Sequence, residues 1–217
     1  MPTDPPGGRP SIPDAIVGPR VVAIGRGLDA RRLAEVAEAL RRGGVRAFEL
    51  TLDSRDAVGG ITTLTSRYGA DDLLVGAGTV LTIEDAKRAV DAGACFLVSP
   101  HLDASLVDWA ASRGLAAFPG AFSPTEILEA WRAGAAAVKL FPASVLGPAF
   151  VREHRGPFRD IPLIPTGGVT LETAPAFVAA GAVAVGLGSW LTGSGDAATI
   201  EERARGLIGA LIDAGRR

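Results

Sequence analysis

Eight times along the chain a short apolar run gives way to a turn and then a helix-forming stretch, and this repeat limits the possible folds severely. The runs begin at Val21 ("VVAIG"), Val45 ("VRAFELTL"), Leu73 ("LLVGAG") and Cys95 ("CFLVS"). They continue at Leu115 ("LAAFP"), Ala136 ("AAVKLF"), Ile161 ("IPLIP") and Ala182 ("AVAVGLG"). Between them, Leu33, Val36, Ala37 and Leu40 share one helical face, and Thr82 and Ser123 stand as N-caps with Asp85 and Glu126 three residues on. "AG" or "GG" closes each helix just before the next strand. The strand starts recur every roughly 20 to 28 residues, the spacing of successive βα units.

The runs are mostly apolar throughout, which predicts parallel strands buried on both faces. Two α/β architectures accommodate eight such units. A doubly wound sheet carries its glycine fingerprint after the first strand, and "VVAIGRGLD" has none. The expectation is therefore a single-domain (β/α)₈ barrel over residues 19–217, preceded by a Pro/Gly-rich stretch, residues 1–18, forming a loose tail or short helix.

A net charge of −2 with no basic cluster argues against a nucleic-acid surface. No apolar run reaches the length of a membrane span, and the opening residues lack the apolar stretch of a signal peptide. The one cysteine, Cys95, excludes an internal disulfide and fits a reducing cytoplasm; its place at the head of an apolar run predicts a small core residue. His101 and His154, the two histidines, match no metal-ligand spacing and are expected on the surface, so no metal or cofactor is expected.

In a barrel of this kind the chemistry sits where strands end. There the sequence places Arg26, Glu49, Thr51, Asp53, Thr79, Pro100, Lys139, Phe141, Thr166 and Ser189. Side chains alternate along a strand, so Glu49, Thr51 and Asp53 share one face and Ala137, Lys139 and Phe141 another, with the large aliphatics opposite. The second and sixth strands stand across a ring of eight, so Lys139 and Glu49 point at one another. Two readings compete. A buried ion pair contributes little to stability, and an apolar pair would serve folding as well. A lysine in an apolar strand, however, loses hydration and favours its neutral amine, which adds to carbonyls as a Schiff base. The carboxylate opposite would then move protons. Gly167 and Gly168 after the seventh run, with Gly188 and Ser189 after the eighth, suit a phosphate at helix starts, where barrels commonly bind one. Arg26 suits a carboxylate, a phosphate or a rim salt bridge; Thr79 suits a carboxylate or a turn cap.

The ordered set "FELTL", "VGAGTVL", "VSP", "PGAFSPTE", "KLFPA", "PTGG" and "GLGSW" resembles the 2-keto-3-deoxy-6-phosphogluconate aldolase family, with its phosphogalactonate and 4-hydroxy-2-oxoglutarate branches. The resemblance implies a class I aldolase, a carbon–carbon lyase of carbohydrate metabolism such as the Entner–Doudoroff route, usually a homotrimer. It implies Lys139 as the Schiff-base lysine and Glu49 as the proton shuttle. Thr79 and Arg26 would meet the substrate carboxylate, Gly167, Gly168, Gly188 and Ser189 the phosphate, and Asp53, Pro100 and Phe141 the substrate pocket. The implied reaction splits a 2-keto-3-deoxy-6-phospho sugar acid into pyruvate and glyceraldehyde 3-phosphate. An unphosphorylated 4-hydroxy-2-oxo acid as substrate, and a non-catalytic phosphate-binding sensor, are the alternatives. Phosphogluconate-type members commonly carry arginine four residues after the catalytic glutamate; here that position is Asp53.

Overall fold

The computed structural model describes residues 8–216. Eight strands occupy the predicted runs: β1 (Val21–Gly25), β2 (Ala47–Thr51), β3 (Leu74–Gly78), β4 (Phe96–Val98), β5 (Ala116–Phe118, continued past Pro119 by Gly120–Ala121), β6 (Val138–Leu140), β7 (Leu163–Pro165) and β8 (Val185–Leu187). Every pairing between them is parallel. One ladder runs β5–β4–β3–β2–β1–β8, and a second joins Gly120–Ala121 to β6 and β7. The chain links the two ladders through Pro119, and a parallel bridge from Thr166 to Gly186 links them on the other side. The ring is thereby closed as an α/β barrel.

The alternation read from the sequence decides what each strand buries. Phe48, Leu50, Val138 and Leu140 join the outer cluster with Val36 and Leu40 of the helix Ala30–Arg42. Ala47, Leu74, Phe96, Ala116 and Ala137 belong to an inner cluster instead. That interior is tight. A Cβ on Gly76 would come 2.4 Å from the Phe96 ring, so glycine there makes room for the phenyl group. The helical turn Asp14–Val17 sends fully buried Ile16 into this inner cluster, among residues at the N-terminal ends of the strands. Residues 1–7 of the expected tail lie outside the described residues, and the part from Ile12 to Val17 packs as a base plug.

The helix starts follow their caps. Thr82 accepts from the Asp85 N–H, and Ser123 with Glu126 forms a complete capping box under Pro124, an arrangement worth about 1 kcal/mol per cap. Two core expectations need correction. Cys95 is exposed, because it precedes β4 at the N-terminal rim instead of entering it. His154 is 5% exposed, whereas His101 is a surface residue as expected. His154 closes the helix Ala143–His154, with its ring stacked 6.2 Å from Phe150 and 5.0 Å from Phe158.

Candidate active site

Lys139 is the middle residue of β6 and Glu49 the middle residue of β2. They are 7% and 2% exposed and line one cavity of about 300 Å³ at the C-terminal ends of the strands. Phe141 lines it with Lys139, two residues on and on the same face, and its ring centroid lies 5.1 Å from the lysine Nζ. Glu49 owes its place to a neighbour's missing side chain: a Cβ on Gly78 would stand 2.6 Å from the carboxylate Oε1.

Burial pushes the Lys139 amine below the ordinary lysine range; the Glu49 charge pulls it back up and the Arg26 charge pushes it further down. Burial raises Glu49 above the ordinary carboxylate range, against the opposing pull of Lys139 and Arg26. Both directions favour the uncharged partners, an amine and a carboxylic acid. The two groups act on one another as charges and not through a hydrogen bond. The lysine is therefore not locked in a contact salt bridge, and both groups line the cavity.

Arg26 stands on the rim, one residue beyond β1. Its Nη1 pairs with the Asp53 carboxylate, and its Nη2 donates to Thr79 Oγ1 at 3.3 Å. Thr79 has φ of 55°, a left-handed conformation that costs a β-branched residue energy and that the surroundings must hold in place. Asp53 and Thr79 reach the cavity only through Arg26, since neither lines it. Pro100 stands apart as well. Its carbonyl lies against Gly120, where a Cβ would come within 2.3 Å of it.

Thr166 to Thr170 form one wall of the cavity and Gly186, Gly188, Ser189 and Trp190 another. Gly167 and Gly168 have φ of +90° and +75°, so the backbone turns there in a way that only glycine allows without strain. The expected helix start is absent at this wall: the next helix begins at Ala174, so Gly167 and Gly168 lie in a loop. On the other wall Ser189 opens a five-residue π-helical turn, Ser189–Gly193. Ile24, Val169, Thr170 and Trp190 complete the lining and were not anticipated. Ile24 precedes Arg26 by two residues, so strand alternation carried the signal for it. No periodicity marks Trp190, which enters through the irregular turn.

Among the described residues no group of three or more His, Cys, Asp or Glu side chains is placed to hold a metal ion. No helix among them is long and apolar enough to cross a membrane.

A parallel barrel with a lysine and a carboxylate facing one cavity at its strand ends has the layout of a lysine-dependent aldolase. The chain belongs to the KDPG and KHG aldolase family, whose profile matches residues 14–205. It is 37% identical over 192 residues to a probable 2-dehydro-3-deoxy-6-phosphogalactonate aldolase of Rhizobium meliloti (strain 1021), covering 88% of this chain and 90% of that one. It resembles a solved structure of native KDPGal with a TM-score of 0.86 at 30% identity, covering 91% of this chain and 96% of that one. It also resembles KDPG aldolase from Legionella pneumophila with pyruvate captured at low pH as a covalent carbinolamine intermediate. There the TM-score is 0.77 at 25% identity, covering 94% of this chain and 98% of that one.

Proposed function

We propose that this protein is a Schiff-base aldolase that reversibly cleaves a 2-keto-3-deoxy-6-phospho sugar acid to pyruvate and glyceraldehyde 3-phosphate. The observation that carries the reading is the pair Lys139 and Glu49, both buried, on opposite strands, lining one cavity without bonding to each other. The carbinolamine in the Legionella relative shows that pyruvate bonds covalently in that enzyme, and the same chemistry suits Lys139 here.

The neutral amine of Lys139 adds to the C2 ketone, and Glu49 in its acid form gives its proton to the departing hydroxyl, directly or through a water, so loss of water leaves a protonated imine and a Glu49 carboxylate. Glu49 as carboxylate takes the C4 hydroxyl proton, directly or through a water. The C3–C4 bond breaks, its electron pair moves into the imine to form an enamine, and the aldehyde leaves. The acid form of Glu49 then protonates C3, and water hydrolyses the new imine to pyruvate and free lysine. The imine is the electron sink, so the chemistry requires no metal. Arg26 and Thr79 take the substrate carboxylate, with Asp53 holding Arg26. Gly167, Gly168, Gly188 and Ser189 take the phosphate. Family likeness carries two more parts of the proposal, assembly as a homotrimer and a place in the cytoplasm.

Comparison of kcat/KM on 2-keto-3-deoxy-6-phosphogluconate, its galactonate epimer and 4-hydroxy-2-oxoglutarate tests this reading. It expects a phosphorylated acid to be preferred by at least roughly tenfold, the value of one well-made charged hydrogen-bond set. Equal or better use of 4-hydroxy-2-oxoglutarate would remove the phosphate from the proposal.

A further inference from the structure

The cavity wall formed by Ser189 and Trp190 is a short π-helical turn with no side-chain cap of its own. Three contacts with the rest of the fold hold it. Leu191 is fully buried in the outer cluster. Buried Thr192 donates its hydroxyl to the carbonyl of Ile24 at 2.7 Å, tying the turn to β1 two residues before Arg26. The third anchor comes from the C-terminal helix, Ala197–Gly215: Arg203 Nη1 donates to the carbonyls of Trp190 at 3.2 Å and Ser194 at 2.6 Å. Its guanidinium carbon also lies 5.9 Å from the Trp190 ring centroid.

The three anchors do different work. Leu191 and Thr192 fix the inner edge of the turn to the body of the barrel. Arg203 fixes the outer edge, by the carbonyl of Trp190 itself, one of the two residues of the turn that line the cavity. Among the described residues Arg203 forms no ion pair with a carboxylate. A guanidinium that spends its donors on carbonyls keeps its full positive charge, and here that charge sits directly behind the cavity wall.

We infer that Arg203 is the positioning residue of the phosphate site: it sets the outer edge of the Ser189–Trp190 wall and supplies positive charge behind it, so it governs affinity for the phosphate without touching the reacting carbons. The inference rests on the proposal that this wall receives the phosphate. Arg203→Met keeps the apolar stem over Trp190 while removing the donors and the charge.

The expected result is a KM for phosphorylated substrate raised roughly 10- to 100-fold, with kcat retained, the pattern of lost binding and not of lost chemistry. The inhibition constant of inorganic phosphate should rise in parallel, while trapping of pyruvate on Lys139 by cyanoborohydride, which involves no phosphate, should keep its rate. Arg203→Lys restores the charge without the fork and should fall between; it also serves as the test if the Met variant does not fold. An unchanged phosphate inhibition constant in a folded variant, or pyruvate trapping that falls as far as phosphate affinity, would overturn the inference. Wild-type enzyme that inorganic phosphate does not inhibit would instead overturn the phosphate reading itself, and this inference with it.

Discussion

Arg26, just past the end of β1, carries the Asp53 carboxylate on one arm of its guanidinium and the Thr79 hydroxyl on the other. Aspartate at position 53 is thus a partner of the rim arginine and does not line the cavity. Asp53→Asn should weaken binding of every substrate by a similar factor, pyruvate included, because all of them present the same carboxylate. The pair is open to solvent, with side chains 61% and 42% exposed. Exposed pairs contribute about 0.2–1 kcal/mol, so the rise in KM should be at most roughly fivefold. Steady-state kinetics on the two phosphorylated epimers decides the matter: a changed ratio between them would mean that Asp53 reads substrate hydroxyls instead.

Glu49→Gln should separate the two halves of the reaction. Imine formation with pyruvate should survive, while turnover falls by roughly 10²–10⁴, the usual share of a general acid–base group. The pH dependence of trapping should also move. The Glu49 charge holds the Lys139 proton on, so its loss should shift the midpoint of pyruvate trapping to lower pH. In the wild type that midpoint should already lie below the ordinary lysine value of about 10.4. A midpoint that stays put, or moves up, would show that the two groups are not coupled.

His154 offers a test of stability away from the cavity. Both ring nitrogens are buried without a hydrogen-bond partner, between two phenylalanine rings. A buried polar group left unpaired costs about 1–3 kcal/mol. Burial lowers the imidazole pKa, so the unfolded chain takes up the proton more readily than the folded one. Stability should therefore fall as pH drops from about 6.5 toward the lowered value. His154→Phe should raise stability by about 1 kcal/mol at neutral pH and by more at pH 5. Denaturant melts at the two pH values give the difference, and a variant whose gain does not grow on acidification would contradict the assignment.

What the sequence made legible was periodic. Alternation along β2 and β6 told the inward residues Glu49 and Lys139 from the outward Phe48, Leu50, Val138 and Leu140, and the structure keeps that division. Caps at Thr82 and Ser123 were equally local and equally clear. The misreadings came where tertiary placement overrides local pattern. Cys95 sits at the head of an apolar run yet stays outside because the strand starts one residue later. His154 looks like a surface residue near a helix end until Phe150 and Phe158 close over it. Asp53 and Thr79 reach the site through Arg26; the contact with Asp53 follows from the adjacent ends of β1 and β2, whereas no spacing in the chain announces the one with Thr79.

The proposed chemistry turns on one amine, and the chain offers few others. Its only lysines are Lys139 and Lys87, and Lys87 is a surface residue paired with Glu84 at 3.2 Å. Borohydride added with pyruvate, followed by peptide mapping, therefore gives a clear answer. One reduced pyruvyl adduct is expected, on Lys139, and none in Lys139→Arg, whose guanidinium stays protonated and cannot add to a ketone. An adduct on Lys87, or no adduct at all with active enzyme, would contradict the proposed chemistry.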